Sequence, residues 1–312
     1  RMNELFTLPV LLGVLYSGVR LATPYLYAAL GEMFAQRSGV VDLGVDGIML
    51  MGAFTAFFIV TNTGSLALGM LGAMLIGLLM GLLMSFVSVN LRAVQGISGI
   101  GLYLFGLGLS SLLFKRLLGS TKAIDGFQAI PIPFLSDLPY IGDVFFKHNA
   151  LVYVAFALVP VAAFVLNRTT LGLKIRAAGM KPEAADSLGV SVAGVRYFCV
   201  CLGGVMAGVA GASLSIGLIN LFQENMTSGL GFIAVALVYF GGWTPVGVMV
   251  GALLFSMVNA FQLWVQVKDI LPSSYRDFVV MMPYVLTIVA LVFGRRARQP
   301  TALSKPFSRG EN

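Results

Sequence analysis

Residues 66–89 read LALGMLGAMLIGLLMGLLMSFVSV, without a single charge. At about 1.5 Å per helical residue this run covers roughly 36 Å, enough to cross a hydrocarbon core about 30 Å thick. Gly69, Gly72, Gly77 and Gly81 are spaced along it, and small residues in that pattern let neighbouring helices approach closely. The run therefore reads as a span inside a helical membrane bundle. The whole chain agrees: its 312 residues are 58% hydrophobic and only 11% charged, where a soluble domain has about a quarter charged residues.

Working outward from this run, further apolar segments recur on both sides. The first runs from about residue 5 to 30, broken by Gly18, Arg20 and Pro24, and predicts a kinked or tilted span. The polar stretch 31–47 follows, then a short segment 48–60 and a turn, TNTGS. Beyond 66–89 come 99–118, a proline-bearing loop 119–149, and spans 150–166 and 197–218. Segment 229–242 is too short for an ordinary span and predicts a broken helix. Segments 245–265 and 278–293 complete about nine. The expectation is an all-α, polytopic transmembrane bundle over 1–294, with broken helices, and a basic tail over 295–312. Gly99-Ile100-Gly101 and Gly229-Leu230-Gly231 open two of the segments and suggest an inverted repeat.

The net charge of +7 gathers in the stretch 168–196 and in the tail. Basic residues flanking apolar spans mark the cytoplasmic side, which places both there and loops 119–149, 219–228 and 267–277 outside. Lys115, Arg116, Lys122 and Lys147 then lie on the outer side, against the rule. These charges read as topology, so no nucleic-acid partner is expected; membrane lipid is. The first apolar run lacks a cleavage site, so no signal peptide is expected. Cys199 and Cys201 lie in an apolar run with no second pair, so no metal is expected. A lone histidine, His148, gives little for a catalytic centre, and none is expected.

Residues 168–196 read RTTLGLKIRAAGMKPEAADSLGVSVAGVR. Lys181-Pro182-Glu183 is a helix start, with proline at the first helical position and an acid in the first turn. Gly189 is the stop. Gly172 and Gly179 bracket an earlier piece over 173–178. Two short helices rich in small residues result, a surface that a partner can grip.

Glu183-Ala184-Ala185 with Gly189 resembles the EAA…G signature of ABC-importer permeases. Thr170-Leu171-Gly172 and Arg176-Ala177-Ala178-Gly179 resemble the branch importing branched-chain amino acids, ribose, other simple sugars and nucleosides. Gly39-Val40-Val41-Asp42-Leu43-Gly44-Val45-Asp46-Gly47 is similar to a G-V-V-(N/D)-L-G-(I/V)-(E/D)-G stretch of the nucleoside and simple-sugar permeases. The resemblance runs from about residue 20 to 294 and begins near the family's second helix. It implies a permease working as a homo- or heterodimer in a prokaryotic cytoplasmic (inner) membrane. A cytoplasmic ABC ATPase subunit would grip Gly172, Arg176, Gly179, Glu183, Ala184, Ala185 and Gly189. An extracytoplasmic substrate-binding protein would deliver the solute. ATP and Mg would be bound by the ATPase and no cofactor by this chain, which has no G-x-x-x-x-G-K-(S/T); Gly119-Ser120-Thr121-Lys122 has the wrong order.

Ionisable residues at membrane depth default to function, which puts Asp42 and Asp46 on a substrate path. In an ion-coupled secondary transporter, the alternative reading, they would carry protons. Gln95, Ser98, Tyr103 and Phe105 combine hydrogen-bonding groups with apolar ring faces, as a nucleoside or sugar requires. Asn259 and Gln262 form a polar stripe on an apolar helix and should face protein or water. Asn220, Glu224 and Asn225 lie on the expected outer side and are candidates for docking the binding protein.

Overall fold

A computed structural model describes residues 7–136, 138–267, 276–293 and 299–307. The chain folds into α1 (Leu8–Arg37), α2 (Val45–Thr63), α3 (Leu66–Ser85), α4 (Gln95–Leu113), α5 (Ile141–Phe145), α6 (Ala150–Arg168), α7 (Thr170–Met180), α8 (Pro182–Ser187), α9 (Val192–Ala212), α10 (Leu230–Phe240), α11 (Pro245–Val267) and α12 (Arg276–Phe293). A two-stranded antiparallel ribbon, β1 (Ala129–Pro131) with β2 (Lys147–Asn149), sits in the long 119–149 connection. There His148 is buried, stacked on Tyr16 with ring centroids 4.7 Å apart and Nε2 2.7 Å from the Val144 carbonyl oxygen. Burial lowers its pKa, so the imidazole is neutral near pH 7.

Among the described residues, six helices are long and apolar enough to cross a membrane: α2, α3, α4, α6, α9 and α11, with α3, α4 and α9 counted together with the turns that extend them. Those turns, at Phe86–Asn90, Phe114–Leu118 and Ser213–Leu218, are π-helical. The protein is a multi-pass membrane bundle. At its centre is α1, whose residues from Gly18 to Gln36 are buried apart from Arg20 and Leu21. Helix α1 runs unbroken through Pro24. The polar stretch expected from residue 31 therefore begins later, because Gly31 to Arg37 is still helical.

Glycine decides how close the central helices come. A Cβ on Gly77 would meet Gly204 and Gly208 of α9, and one on Gly81 would meet Val200, Cys201 and Gly204. Gly52 of α2 likewise packs on Gly208. The span 66–89 thus packs its glycine face on α9 and α2, but most of its residues are not buried and Leu71, Leu75 and Leu79 face outward, so it flanks the bundle rather than lying inside it as expected. The tightest approach is Gly211, where a methyl group would fall inside van der Waals contact with the Met49 carbonyl. That obstacle is backbone and cannot rotate away. Gly211→Ala should therefore destabilise the bundle by about 1–3 kcal/mol, the usual cost of overpacking. A lower melting temperature in detergent checks this.

Both halves of the bundle contain an interrupted helix. Helix α1 ends at Arg37; residues 38–44 then run back beside it, a turn at each end with 40–42 between them, before α2 begins. The Asp42 amide N–H donates to Glu32 Oε1 at 3.1 Å. Glu32 lies five residues before the end of α1, about 7 Å inward. In the second half, α9 and its π turn end at Leu218, residues 219–229 are irregular, and α10 follows with only 11 residues. Gly229, at φ +88°, makes the final bend into α10. The expectation of a broken helix at 229–242 is met. The two helices that follow these interruptions run in opposite directions: α2 leads away from the end carrying the basic 168–196 stretch, and α10 leads back toward it. Most of the predicted loop 267–277, the tail residues 295–298 and Arg309 lie outside the described residues.

Candidate functional site

Non-helical backbone inside a membrane protein must find partners within the protein, since each unpaired group costs several kcal/mol. The first interruption recruits polar side chains for this. Gln95 Oε1 accepts from the Val41 amide at 2.9 Å, Glu32 Oε1 from the Asp42 amide, and Asp42 Oδ1 from the Gly44 amide at 2.7 Å. Glu32 also accepts from Gln36 Nε2 at 2.9 Å, and Gln36 Oε1 accepts from Trp243 Nε1 at 2.8 Å. Arg37 donates from Nε to the Trp243 carbonyl at 2.7 Å. This chain of bonds ties the end of α1 to the turn after α10.

Asp46 lies in the first turn of α2, and its carboxylate crosses to the other half. Oδ1 accepts from the Gly231 amide at 2.7 Å and Oδ2 from Thr227 Oγ1 at 3.0 Å. A Cβ on Gly231 would strike the Asp46 backbone, so the two helix starts are pressed together. The side chain acts as the N-terminal cap that α10 lacks locally. It also sets a negative charge where two helix N-termini converge.

Beside this junction is a cavity of about 210 Å³. It is lined by Thr227, Ser228, Asn259 and Gln262 with the rings of Tyr25, Phe255 and Tyr284. Asn259 and Gln262, expected on a substrate path, both line it, and Asp46 stands behind the lining as the acceptor for Thr227. The structure does not bring the other expected path residues to it. Asp42 and Gln95 hold the 38–44 segment. Ser98 bonds to the Val94 carbonyl at 3.0 Å within its own helix. Tyr103 packs edge-on against Phe232, 5.1 Å between centroids. Phe105 is 52% exposed on the outer face of α4, because the buried positions are Gln95, Gly99, Leu102, Gly106 and Ser110 and it falls between them. Tyr25, Phe255, Ser228 and Tyr284 were missed by sequence reasoning. The polar stripe on α11 was the one available signal, and it located only its own helix.

On the basic end, α7 and α8 form the two short helices expected of 168–196. Thr169 caps α7, its Oγ1 accepting from the Gly172 amide at 3.1 Å. Gly189, at φ +82°, ends α8, with the Val190 amide returning to the Ala185 carbonyl at 3.0 Å. The small residues divide into two groups. A Cβ on Gly172 would strike the Val165 and Leu166 carbonyls, and one on Gly179 the Arg37 carbonyl. Ala185 is buried and Arg176 half-buried. These residues fasten the segment to its own bundle. The surface left for a partner carries Leu173, Glu183, Ala184, Leu188 and Gly189, with Leu188 85% exposed.

At the opposite end, Glu224 and Asn225 are exposed. Glu224 pairs with Lys115 at 3.2 Å. Asn220 is turned inward. Its carbonyl accepts from Ile124 at 3.0 Å, and its side chain packs on Gly126, so it seats the 119–149 connection.

The model of the branched-chain amino acid transport system / permease component family matches residues 14–291. The chain belongs to that family. It is 41% identical over 255 residues to TsgC13 of Haloferax volcanii, a permease protein provisionally ascribed to glucose ABC transport, covering 80% of this chain and 77% of that one. It is 34% identical to the guanosine ABC transporter permease protein NupQ of Bacillus subtilis, over 93% of this chain and 94% of the other. It is also 34% identical to the nucleoside ABC transporter permease protein NupC of Lactococcus lactis, over 96% and 97%. No solved structure matches. Membership makes the chain a transport component of an ABC system. It gives no support to the ion-coupled alternative, and the carboxylates that alternative needs, Asp42 and Asp46, are already engaged as acceptors.

Proposed function

We propose that this permease carries a nucleoside or simple-sugar-like solute inward by alternating access, driven by ATP that a partner ATPase binds with Mg and hydrolyses. The observation that carries the reading is the α7–α8 segment, anchored by Gly172, Gly179 and Ala185 while presenting Leu173 and Leu188. An apolar residue exposed to this degree beside small residues is suited to a groove on a motor subunit. A second permease copy or a related one completes the channel, and an extracytoplasmic binding protein docks around Glu224 and Asn225. The substrate class rests on the relatives and on the cavity lining. Amide and hydroxyl groups with three aromatic rings, and no charged side chain, suit a neutral solute with hydrogen-bonding edges and an apolar face. At about 210 Å³ the cavity lies below the usual 300–1,000 Å³ of ligand sites.

The test is ATP-dependent uptake into vesicles carrying the full transporter and its binding protein, offered guanosine, glucose, ribose and leucine in turn. Uptake of leucine alone would sink the substrate reading. Asn259→Leu and Gln262→Leu should each lower uptake of the preferred solute about tenfold, by removing one hydrogen-bonding partner worth 1–2 kcal/mol. The ATPase should still co-purify with both variants. Unchanged uptake in both would remove this cavity from the path.

A further inference from the structure

Arg196 is a charged residue of the basic stretch that neither the coupling surface nor the cavity uses. It sits one turn into α9 and is only 2% exposed. Its Nε donates to the Ser38 carbonyl at 3.2 Å and its Nη1 to the Lys305 carbonyl at 3.0 Å. Among the described residues Nη2 has no hydrogen-bond partner, and it lies against Gly39, where a Cβ would approach it to 2.9 Å. Among the described residues no carboxylate is within 4 Å of it. Burying a cation this way costs several kcal/mol that an apolar side chain of similar size would avoid. Filling space therefore does not explain an arginine here.

The residues it reaches belong to separate segments. Ser38 and Gly39 begin the first interruption. Lys305 belongs to the C-terminal strap, residues 299–307, which crosses the basic end of the bundle. The strap's Ala302 amide donates to the Gly179 carbonyl at 3.0 Å, and Thr301 Oγ1 to the Met180 carbonyl, both on α7. Its Ser304 amide donates to the Gly39 carbonyl at 3.1 Å. Ala302 and Leu303 are buried beneath it. One short peptide thus joins the segment facing the motor to the turn that starts the interrupted helix, and Arg196 pins both to α9. Next to this junction is a cavity of about 530 Å³, bordered by Asn90, Asp186, Gly189, Arg196 and Phe307, into which the end of α8 has room to move.

We propose that Arg196 is a positioning residue for transport: with the strap, it transmits displacement of α7–α8 to the 38–44 interruption. This rests on the permease reading above. The planar guanidinium holds two carbonyl oxygens from different segments in one fixed geometry, which a single ammonium cannot reproduce. Moving either segment alone would strip a buried cation of a partner, so the segments move together.

The experiment uses the complete transporter in proteoliposomes and compares Arg196→Lys, Arg196→Gln and removal of residues 299–312. Each should leave ATP hydrolysis within about twofold of wild type while solute moved per ATP falls about tenfold, a partial loss of coupling between sites. Adding Arg196→Gln to the truncated chain should change nothing further, because both act on one link. Hydrolysis and uptake falling in parallel would overturn the proposal in favour of a purely structural role, and so would independent, multiplying effects. If Arg196→Gln does not insert, the truncation carries the comparison, since it removes only strap residues and the chain's end. Hydrogen exchange at the Ala302 and Ser304 amides gives a readout that needs no transport. Arg196→Lys should release their protection, and retained protection would overturn the link. Wild-type complex lacking ATP-driven uptake would refute the permease reading instead, and the exchange result alone would then decide whether Arg196 holds the strap.

Discussion

Asp46→Ala should unfold or inactivate the permease, whereas Asp46→Asn should retain most of its uptake. In the wild type one carboxylate oxygen accepts from the Gly231 amide and the other from the Thr227 hydroxyl. Alanine leaves both donors buried without their acceptor. Each orphaned group costs about 1–3 kcal/mol, so the pair consumes a large part of a typical margin of about 5–15 kcal/mol. Asparagine keeps an oxygen for Gly231, and its amide can donate to Thr227 once the hydroxyl rotates to accept. The measurement is purified yield and thermal stability in detergent, followed by uptake. Equal loss in both variants would mean the negative charge itself is needed where the two helix N-termini meet. Survival of Asp46→Asn would also exclude proton carriage by this side chain, since an amide does not titrate.

The other large effect is expected at the motor-facing surface. Leu188→Glu should abolish ATP-driven uptake while leaving the permease folded and inserted. Leu188 is 85% exposed, so changing it disturbs no packing within the chain. A buried leucine at the centre of an interface contributes about 1.5–3 kcal/mol, and a carboxylate there must in addition be desolvated. Loss of the ATPase on co-purification should accompany loss of uptake. Gly189 separates conformation from contact. Its φ of +82° suits glycine, and a Cβ there has no neighbour within 4 Å. Gly189→Ala should therefore act only through the bend, weakening coupling less than Leu188→Glu does.

How much of this could be read in advance depended on how far apart the interacting residues lie in the chain. Helices α7 and α8 were legible because their caps are local: proline and glutamate at one start, glycine at the stop. The membrane class was legible from runs such as 66–89. Asp46 was marked as unusual by its charge, but its partners are 181 and 185 residues away, and no periodicity points to them. Gly172 and Gly179 were singled out as a partner's grip, and the structure gives them a further, intramolecular reason to be small. They are small because α7 must lie against carbonyl groups of α6 and α1. Phe105 was an error of phase. Gly99, Leu102 and Gly106 mark the buried side of α4, and a residue three after Leu102 but one before Gly106 sits at its edge, turned outward. The aromatic half of the cavity comes from α1, α11 and α12, three helices that come together only on folding.

The long reach of Asp46 also bears on biogenesis. Translation at about 5–20 residues per second separates its synthesis from that of Thr227 and Gly231 by roughly ten to forty seconds. Throughout that interval the first half of the protein holds a carboxylate whose partners have not yet been made. Gly52 waits almost as long for Gly208. The early helices can enter the bilayer one by one, but a chain stalled before residue 227 lacks both donors to the Asp46 carboxylate, so the bundle closes only when its second interrupted helix arrives.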